Sequence, residues 1–316
     1  MTGYQTISIA PLRGITNGTF RDVYASLFNG VDYALAPFVS ATSGNKVNLS
    51  VLKDILPEKN KNMPTIPQVI GANPDDVQMM LQVIHRELGY DTININMGCP
   101  HRPIVSKGRG SGFLKKPDSI WRMLDRLFED ADFDITVKTR LGYENPEQIL
   151  DLIPKFNNYP IKELILHTRT ATQMYKGNTY PEIFAKCMEI SNIPLVYNGD
   201  IFCLEDYKKL ETTLPECNSW MIGRGVVSNP FLPQEIKTGK VFSQAEKTKA
   251  IYNLHNALYQ EYSEILFGPA HLLGKMKEYW LYMSENLPNG RKLLTNIRQA
   301  KTPKHYEDIV NSSFQN

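Results

Sequence analysis

The sequence is poor in cysteine. It holds four cysteines among 316 residues, with no C-x-x-C pair and no cluster of cysteine with histidine. This scarcity argues against a disulfide framework and against a structural zinc site. No stretch approaches the roughly 20 apolar residues that span a bilayer, and no basic segment followed by a long apolar run opens the chain. We therefore expect a cytoplasmic protein with no bound metal and no membrane contact.

The sequence also lacks a large charge imbalance. Its formal net charge is +2, so the composition as a whole does not indicate a nucleic-acid binder. Charge is nevertheless uneven, because the segment between Asp91 and Asp118 contains lysines and arginines but no acidic residue. With 42% hydrophobic residues, the chain is long enough for one large domain and a smaller one.

Eight short β-rich apolar runs recur through the first three quarters of the chain. They occupy residues 6–11, 32–38, 65–72, 91–96, 134–140, 163–169, 194–199 and 219–225. Segments with helical spacing separate them. Eight such units predict an α/β fold, a closed (β/α)8 TIM barrel, with an open doubly wound sheet as the competing arrangement.

Helix signals support this alternation. Residues 73–89 begin with Asn73 as a cap and end at Gly89. Similar helices are predicted for residues 116–130 and 145–156, the second broken at Pro154.

The pattern changes after residue 242. One long helix is predicted from a cap at Ser243 to Gly268, and three shorter helices follow without a strand between them. The chain therefore divides into a barrel domain, residues 1–242, and a small all-helical C-terminal domain, residues 243–316.

Polar and small residues are concentrated at the C-terminal ends of the predicted strands, where barrels carry their active sites. They are Pro11, Leu12 and Arg13; Gln68; Asn96 and Cys99; Lys138 and Arg140; His167; Asn198, Gly199 and Asp200; and Gly223 and Arg224. Barrels often bind phosphate on the loops after the seventh and eighth strands, where small residues admit backbone N–H groups. The glycines and Arg224 fit such a site, although they also fit ordinary turns and a solvated arginine.

Lys138 is predicted to point into the barrel, because side chains alternate along a strand. An inward lysine needs a buried partner, and a cofactor with an anionic form would supply one. His167 and Gln68 carry less information, since a lone polar residue on an apolar strand is often a satisfied core residue.

Cys99 lies between Gly98 and Pro100 at the end of the fourth predicted strand. A free cysteine usually packs as a small hydrophobe, whereas the rigid bend and the nearby cations could favour a thiolate or bind a polyanion. Both interpretations stay open on the residues alone. The glycine run "GRGSG" that follows lacks the spacing, the preceding strand and the acidic partner of a dinucleotide-binding fingerprint.

Several motifs occur together along most of the chain: "APLRGITNGTFR", "PQVIGANP", "ININMGCP", "VKTRLG", "LHTRTATQMYKG", "YNGDI" and "IGRGVVSNPFL". In order and spacing they resemble the tRNA-dihydrouridine synthase family. The resemblance implies a flavoprotein that reduces the C5=C6 bond of a D-loop uridine in tRNA, with FMN as cofactor and NADPH as reductant. The chain departs from the family pattern at Arg13, where a small or acidic residue is common, and in "HTRT", where H-G-R-T is usual.

The resemblance also implies a role for each matching residue. Cys99 would be the acid that protonates C5 as hydride reaches C6, with Asn96 and Arg140 at the uracil. The cofactor would be held by the backbone of Pro11, Leu12 and Arg13 and by Gln68, Lys138, His167, Asn198, Gly199, Asp200, Gly223 and Arg224. A thiol with an unperturbed pKa of about 8.5 is mostly protonated near neutrality, which suits an acid.

The C-terminal helices would grip tRNA, as the family's helical domain does. Residues 291–304 contain five basic residues and no acid, which could form a phosphate-binding stripe or an ordinary solvated face. A small-molecule flavin oxidoreductase of the dihydroorotate dehydrogenase or old yellow enzyme type is the alternative, but it leaves the helical tail unexplained. A non-catalytic RNA-binding barrel is a third possibility, against which the intact Cys99, Lys138 and Arg224 argue. We expect a monomer.

Overall fold

The structure is a computed structural model that describes residues 4–41 and 49–314. Its strands are β1 Thr6–Ile9, β2 Tyr33–Leu35, β3 Val39–Ser40, β4 Thr65–Ile66, β5 Gln68–Ile70, β6 Thr92–Asn96, β7 Asp134–Gly142, β8 Leu164–Thr170, β9 Leu195–Asn198 and β10 Ser219–Ile222. Each of the eight predicted runs overlaps at least one of these strands. The third run is divided into β4 and β5 at Pro67, because proline has no N–H for the ladder.

The strands are parallel and form a closed ring. β1 pairs with both β2 and β10, and β2 pairs with β4. β5 continues the ring through β6, β7, β8 and β9 to β10. Since only Pro67 separates β4 from β5, the two act as one strand that closes the barrel. The (β/α)8 barrel is therefore confirmed, and the open doubly wound sheet is excluded.

Helices surround the barrel and continue beyond it. They are α1 Gly18–Leu27, α2 Pro74–Leu88, α3 Arg102–Val105, α4 Asp118–Glu129, α5 Gln148–Phe156, α6 Pro181–Ile190, α7 Leu204–Thr213, α8 Arg224–Ser228, α9 Leu232–Thr238, α10 Gln244–Ile265, α11 Pro269–Met283, α12 Gly290–Gln299 and α13 Pro303–Phe314. The last four form the helical tail. The limits of α2 agree with the sequence, because the Asn73 side chain caps its first turn and Gly89 adopts a left-handed conformation at its end.

Two predicted helix ends are wrong. The helix α5 runs through Pro154 to Phe156. Proline removes one N–H close to the end of this helix, and the Asn157 N–H still reaches the Ile153 carbonyl. The helix α10 begins after Ser243 as predicted but ends at Ile265, and Gly268, with a φ of 85°, precedes the first turn of α11 instead.

The helical tail packs against the C-terminal end of the barrel. The Tyr279 hydroxyl donates to the Ile15 carbonyl at 2.7 Å, and the Tyr262 hydroxyl donates to Asn17 Oδ1 at 2.8 Å. Both acceptors belong to the loop between β1 and α1. Lys247 of α10 also forms an ion pair of 2.8 Å with the fully buried Glu235 of α9. The tail is thus tied to the face of the barrel where the strands end.

Candidate active site

A cavity of about 450 Å³ opens where the strands end. Its wall contains all but one of the residues predicted for catalysis, cofactor and substrate: Pro11, Leu12, Arg13, Asn96, Cys99, Lys138, Arg140, His167, Asn198, Gly199, Asp200, Gly223 and Arg224. Strand register explains the convergence, because Asn96 is paired with Lys138 and His167 with Asn198 across the ladder.

Gln68 is the residue that does not line the cavity. It is fully buried, donates from Nε2 to Asn94 Oδ1 at 2.7 Å and accepts from Asn96 Nδ2 at 2.8 Å. Strand alternation predicts which side of the sheet a residue faces but not how deep it lies. Gln68 therefore orients Asn96 from behind the wall.

Asn96 in turn fixes the turn that carries Cys99. Its Oδ1 accepts from the backbone N–H groups of Gly98 at 3.1 Å and Cys99 at 2.9 Å. One hydrogen of Asn96 Nδ2 is used by Gln68, so the second remains for the cavity.

Burial raises the pKa of the Cys99 thiol above its ordinary value. The His101 backbone and the cations Arg140, Arg13 and Lys138 act in the opposite direction, but burial prevails. Cys99 is consequently a protonated thiol at neutral pH, which can donate a proton. The strongly activated thiolate that nearby cations could have produced is not what this environment favours.

The glycine run after Cys99 supports the Cys99 turn. Gly110 has a φ of 57°, and a Cβ atom there would lie 2.7 Å from the Cys99 carbonyl oxygen. The Ser111 N–H donates to the same carbonyl at 3.0 Å. Residues Gly110–Lys115 form a 3-10 helix packed beside α3. The sequence excluded a dinucleotide-binding role for this run, but it gave no sign of this structural one.

Lys138 stands in the cavity wall with one hydrogen-bond acceptor, Asn198 Oδ1, at 2.7 Å. Burial, and to a lesser extent the charge of Arg140, lowers the pKa of Lys138 to about 7. Its remaining donor capacity faces the cavity.

His167 is neutral in this setting. Burial lowers its pKa well below the ordinary 6.5, and the charges of Arg140 and Lys138 add to the effect. Its ring centroid lies 6.2 Å from that of Tyr175. A neutral imidazole can donate from one ring nitrogen and accept at the other.

Arg140 ties two loops together. Its side chain is 1% exposed; Nε donates to the Gly98 carbonyl at 3.0 Å, and Nη1 donates to the carbonyls of Thr170 and Met174 at 2.7 Å each. Met174 is one of two non-glycine residues with positive φ among those described. The Arg140 guanidinium carbon also lies 5.4 Å from the centre of the Tyr175 ring.

Asp200 and Arg224 form an ion pair at the opposite wall. Arg224 Nη2 lies 2.7 Å from Asp200 Oδ1, and the buried Arg169 pairs with the same carboxylate. The Arg224 guanidinium carbon lies 4.9 Å from the centre of the Phe202 ring. Asp200 therefore orients Arg224 and offsets part of its charge.

The loops after β9 and β10 approach each other closely. A Cβ atom on Gly225 would lie 2.0 Å from the Ile201 carbonyl oxygen, so only glycine permits the approach. The helix α8 starts at Arg224, and the first turn of a helix leaves its N–H groups without intrahelical partners. Arg224 and Gly225, the first two residues of α8, both line the cavity, so these N–H groups lie at its wall.

The sequence analysis did not predict several residues of the cavity wall. They are Phe38, Tyr175, Phe202, Tyr282 and Glu285. Tyr175 lies in the motif "LHTRTATQMYKG", which could have drawn attention to it. Tyr282 and Glu285 belong to the end of α11 and the 3-10 helix after it, and no local pattern tells where the tail will pack.

Over the described residues 4–41 and 49–314, no helix is long and apolar enough to cross a membrane. The same part of the chain contains no group of three or more histidine, cysteine, aspartate or glutamate side chains placed to hold a metal ion.

Known proteins resemble this chain in sequence and in fold. Two curated relatives are named tRNA-dihydrouridine(16) synthase. That of Neisseria meningitidis serogroup A is 31% identical over 240 residues, covering 73% of this chain and 71% of that protein. That of Aquipseudomonas alcaligenes is 23% identical over 314 residues, covering 96% and 98%. A solved structure of morphinone reductase shares the fold, with a TM-score of 0.54 at 11% identity, covering 76% of this chain and 87% of that one.

The family model described as Dihydrouridine synthase matches residues 8–315, nearly the whole chain. This chain belongs to the dihydrouridine synthase family.

Proposed function

We propose that this protein is a tRNA-dihydrouridine synthase, which reduces the C5=C6 bond of a D-loop uridine in tRNA with FMN as its flavin and NADPH as the reductant. Family membership supports the reaction class. The observation that carries the proposal is that one cavity brings a protonated Cys99 thiol together with Lys138 and Arg224. A proton donor beside two cations suits a reductase with an anionic cofactor.

The donor set of the cavity fits FMN. The N–H groups in the first turn of α8 and the Arg224 guanidinium would bind the phosphate, on the loops where barrels often place one. Lys138 and His167 would hydrogen-bond the pyrimidine edge of the ring, with Pro11 and Leu12 along the ring. Gln68 would act through Asn96, since it lies behind the cavity wall.

The hydride for C6 of the uracil would come from the reduced flavin when it is bound. Cys99 would donate its thiol proton to C5, so that one hydride and one proton saturate the bond, and the thiolate would then take a proton from solvent. A pKa raised by burial keeps the proton available at neutral pH. The second Nδ2 hydrogen of Asn96 and the Arg140 side chain would bind the uracil carbonyl oxygens.

Residues 243–316 would form the tRNA-binding domain beside a catalytic domain, residues 1–242. The five basic residues of the tail stripe are exposed: Arg291, Lys292, Arg298, Lys301 and Lys304. Because Tyr282 and Glu285 of the tail line the cavity, the tail also bears on how the uridine enters.

The test is complementation of a strain that lacks dihydrouridine synthases, with dihydrouridine mapped in its tRNA. The wild-type gene should restore the modification. Cys99→Ala should lower turnover at least about a hundredfold, since a positioned acid contributes on that scale, and should still bind flavin and tRNA. Cys203→Ser is the matched control, because Cys203 is also partly exposed and serine retains its place at the start of α7.

Three outcomes would contradict parts of the proposal. Colourless protein that does not take up FMN would remove the cofactor assignment. Undiminished turnover in Cys99→Ala would remove Cys99 from proton transfer. Efficient reduction of small pyrimidines with no action on tRNA would favour the small-molecule flavin oxidoreductase.

A further inference from the structure

Three arginines line the cavity, and their guanidinium groups differ in what they contact. Arg140 donates to three backbone carbonyls, and Arg224 is paired with Asp200. Arg13 has no hydrogen bond or ion pair with any residue within 4–41 and 49–314. The segments outside those ranges contain no aspartate or glutamate. Arg13 is therefore a wall cation without a carboxylate side chain as partner.

The Arg13 side chain is exposed and lies over an aromatic ring. Its guanidinium carbon is 5.7 Å from the centre of the Phe38 ring. A cation–π contact uses no N–H group in a hydrogen bond to an oxygen atom, so the donors of the guanidinium can still reach another ligand. The contact with Phe38 therefore orients the donors without using them.

The loop that carries Arg13 is fixed from inside the barrel. The Thr16 hydroxyl accepts from the Leu12 N–H at 2.8 Å and donates to the Ala10 carbonyl at 2.9 Å. The N–H groups of Ile15 and Thr16 both donate to the Leu12 carbonyl, at 2.9 and 3.0 Å. Arg13 is thus presented by a closed turn, which lowers the entropy that binding would cost.

The helical tail holds the same loop from the other side. Tyr279 donates to the Ile15 carbonyl, and Lys275 donates to the Gly14 carbonyl. Arg13 therefore lies where the barrel and the tail meet. A substrate that contacts both parts of the protein passes this position.

The Arg13 side chain points towards Phe38, away from the site proposed for the phosphate of the cofactor. That site lies on the loops after β9 and β10, whereas Phe38 follows β2, on the other side of β1. The charge of Arg13 also acts on the Cys99 thiol, lowering its pKa against the effect of burial. Arg13 is consequently close to the reacting end of the cavity and away from the cofactor phosphate.

A phosphodiester is the anion that this position suits. When the base of a nucleotide enters a cavity, its two phosphates stay at the mouth, and a guanidinium binds phosphate oxygens with paired hydrogen bonds. We infer that the Arg13 guanidinium binds a backbone phosphate of the RNA beside the uridine that enters the cavity. This inference rests on the proposed function and assigns a substrate contact to the Arg13 side chain.

The experiment compares Arg13→Ala with Arg122→Ala in the full-length, flavin-loaded protein. Arg122 is exposed on α4, so its removal changes the net charge equally. Arg13→Ala should weaken tRNA binding about tenfold, and the slope of log affinity against log salt should fall by about 0.8, the effect of one lost phosphate contact. Arg13→Lys should keep most of the slope. The loss should appear in KM for tRNA more than in kcat.

Other outcomes would overturn the inference. Equal salt slopes for Arg13→Ala and Arg122→Ala would show that Arg13 does not contact a phosphate of the RNA. A comparable loss of FMN affinity, or a higher KM for NADPH with unchanged tRNA affinity, would assign the guanidinium to the cofactor or to the reductant. Wild-type protein that neither binds tRNA nor forms dihydrouridine would instead refute the proposed function, and the inference would fall with it.

Discussion

The interior of the helical tail and the catalytic cavity both bury polar side chains, but they satisfy them to different degrees. In the tail, Trp280 Nε1 donates to the Tyr306 hydroxyl at 2.7 Å, and that hydroxyl lies 2.6 Å from His255 Nε2. His255 Nδ1 lies 2.9 Å from Asn256 Oδ1. Asn256 Oδ1 only accepts, so the neutral His255 ring carries its hydrogen on Nδ1 and accepts at Nε2. The Tyr306 hydroxyl therefore donates to His255 and accepts from Trp280. The network is closed.

The cavity leaves its polar groups open. Lys138 has one acceptor, Asn96 retains one N–H, and the Cys99 thiol faces the cavity. Buried donors without partners reduce stability, whereas saturated ones help to specify a single packing. The difference indicates that the tail network serves the fold and that the cavity set serves a ligand.

The same difference appears in two bases whose pKa values are lowered, His255 in the tail and Lys138 in the cavity wall. Burial lowers the pKa of His255 to about 4 and that of Lys138 to about 7. For His255 the neutral form is the one that the Tyr306 hydroxyl requires. For Lys138 an anionic ligand would favour the charged form, so its low pKa belongs to the protein before the ligand binds.

The largest expected effect comes from opening the tail network. Tyr306→Phe leaves the Trp280 N–H and His255 Nε2 without their buried partner, so it should lower the free energy of unfolding by about 3 kcal/mol. FMN affinity should stay at the wild-type value. Urea unfolding followed by circular dichroism measures the first quantity, and flavin fluorescence quenching measures the second.

Tyr252→Phe is the matched control, because the Tyr252 hydroxyl donates to Asn311 at 3.0 Å in an exposed position. It should change stability by less than about 0.5 kcal/mol. If Tyr306→Phe instead weakened FMN binding and left stability intact, the assignment of the tail network to the fold would be wrong.

The barrel could be predicted because its signals are local. Strand alternation and helix caps such as Asn73 and Ser243 are set by residues a few positions apart, and they gave the order of the elements. Helix ends were less secure. Pro154 did not stop α5, and Gly268 did not end α10. The free energy of one lost hydrogen bond, or of one glycine cap, is smaller than the free energy of tertiary packing, which decided where these helices end.

The site could be predicted in part. A parallel barrel brings its strand ends together, so residues such as Lys138 and Asn198 met as expected. The sequence pattern does not tell how deep a side chain lies below the cavity, so the position of Gln68 behind the wall could not be predicted. Partners from distant segments were not encoded either. No local sequence pattern near Tyr282 predicts that α11 places this side chain at a cavity whose barrel residues lie more than fifty positions earlier in the chain.

A fall in pH should also destabilise the closed network, by less than the Tyr306→Phe substitution does. The pKa of His255 is about 4 in the folded protein and 6.5 ordinarily, so the unfolded chain binds the proton first. The stability contributed by neutral His255 is therefore complete above about pH 6.5 and is lost as pH falls towards about 4, with a loss of about 2 kcal/mol at pH 5. Urea midpoints measured between these values should show the decline.

His255→Gln tests the assignment of this decline. The glutamine carbonyl can accept from the Tyr306 hydroxyl and does not titrate, so the variant should show a flatter dependence between about pH 6.5 and pH 5. A decline of wild-type size in His255→Gln would place the acid-sensitive group elsewhere.

The smallest expected effect concerns the open cavity. Lys138→Met removes the positive charge that would attract an anionic flavin. FMN affinity should therefore fall about tenfold near pH 6.5. In the wild type, affinity should decline as pH rises above about 7, because Lys138 then loses its proton in the free protein. The variant should lack that decline, and its stability should equal or exceed the wild-type value, since a desolvated lysine has been removed.

Lys208→Met is the control, because Lys208 is exposed on α7. It should leave both FMN affinity and its pH dependence unchanged, which separates a local role of Lys138 from a general effect of charge. A Lys138→Met protein that bound FMN normally but unfolded more easily would reverse the comparison. Lys138 would then belong with His255 among the groups that hold the fold, and the anion site would have to lie elsewhere in the cavity.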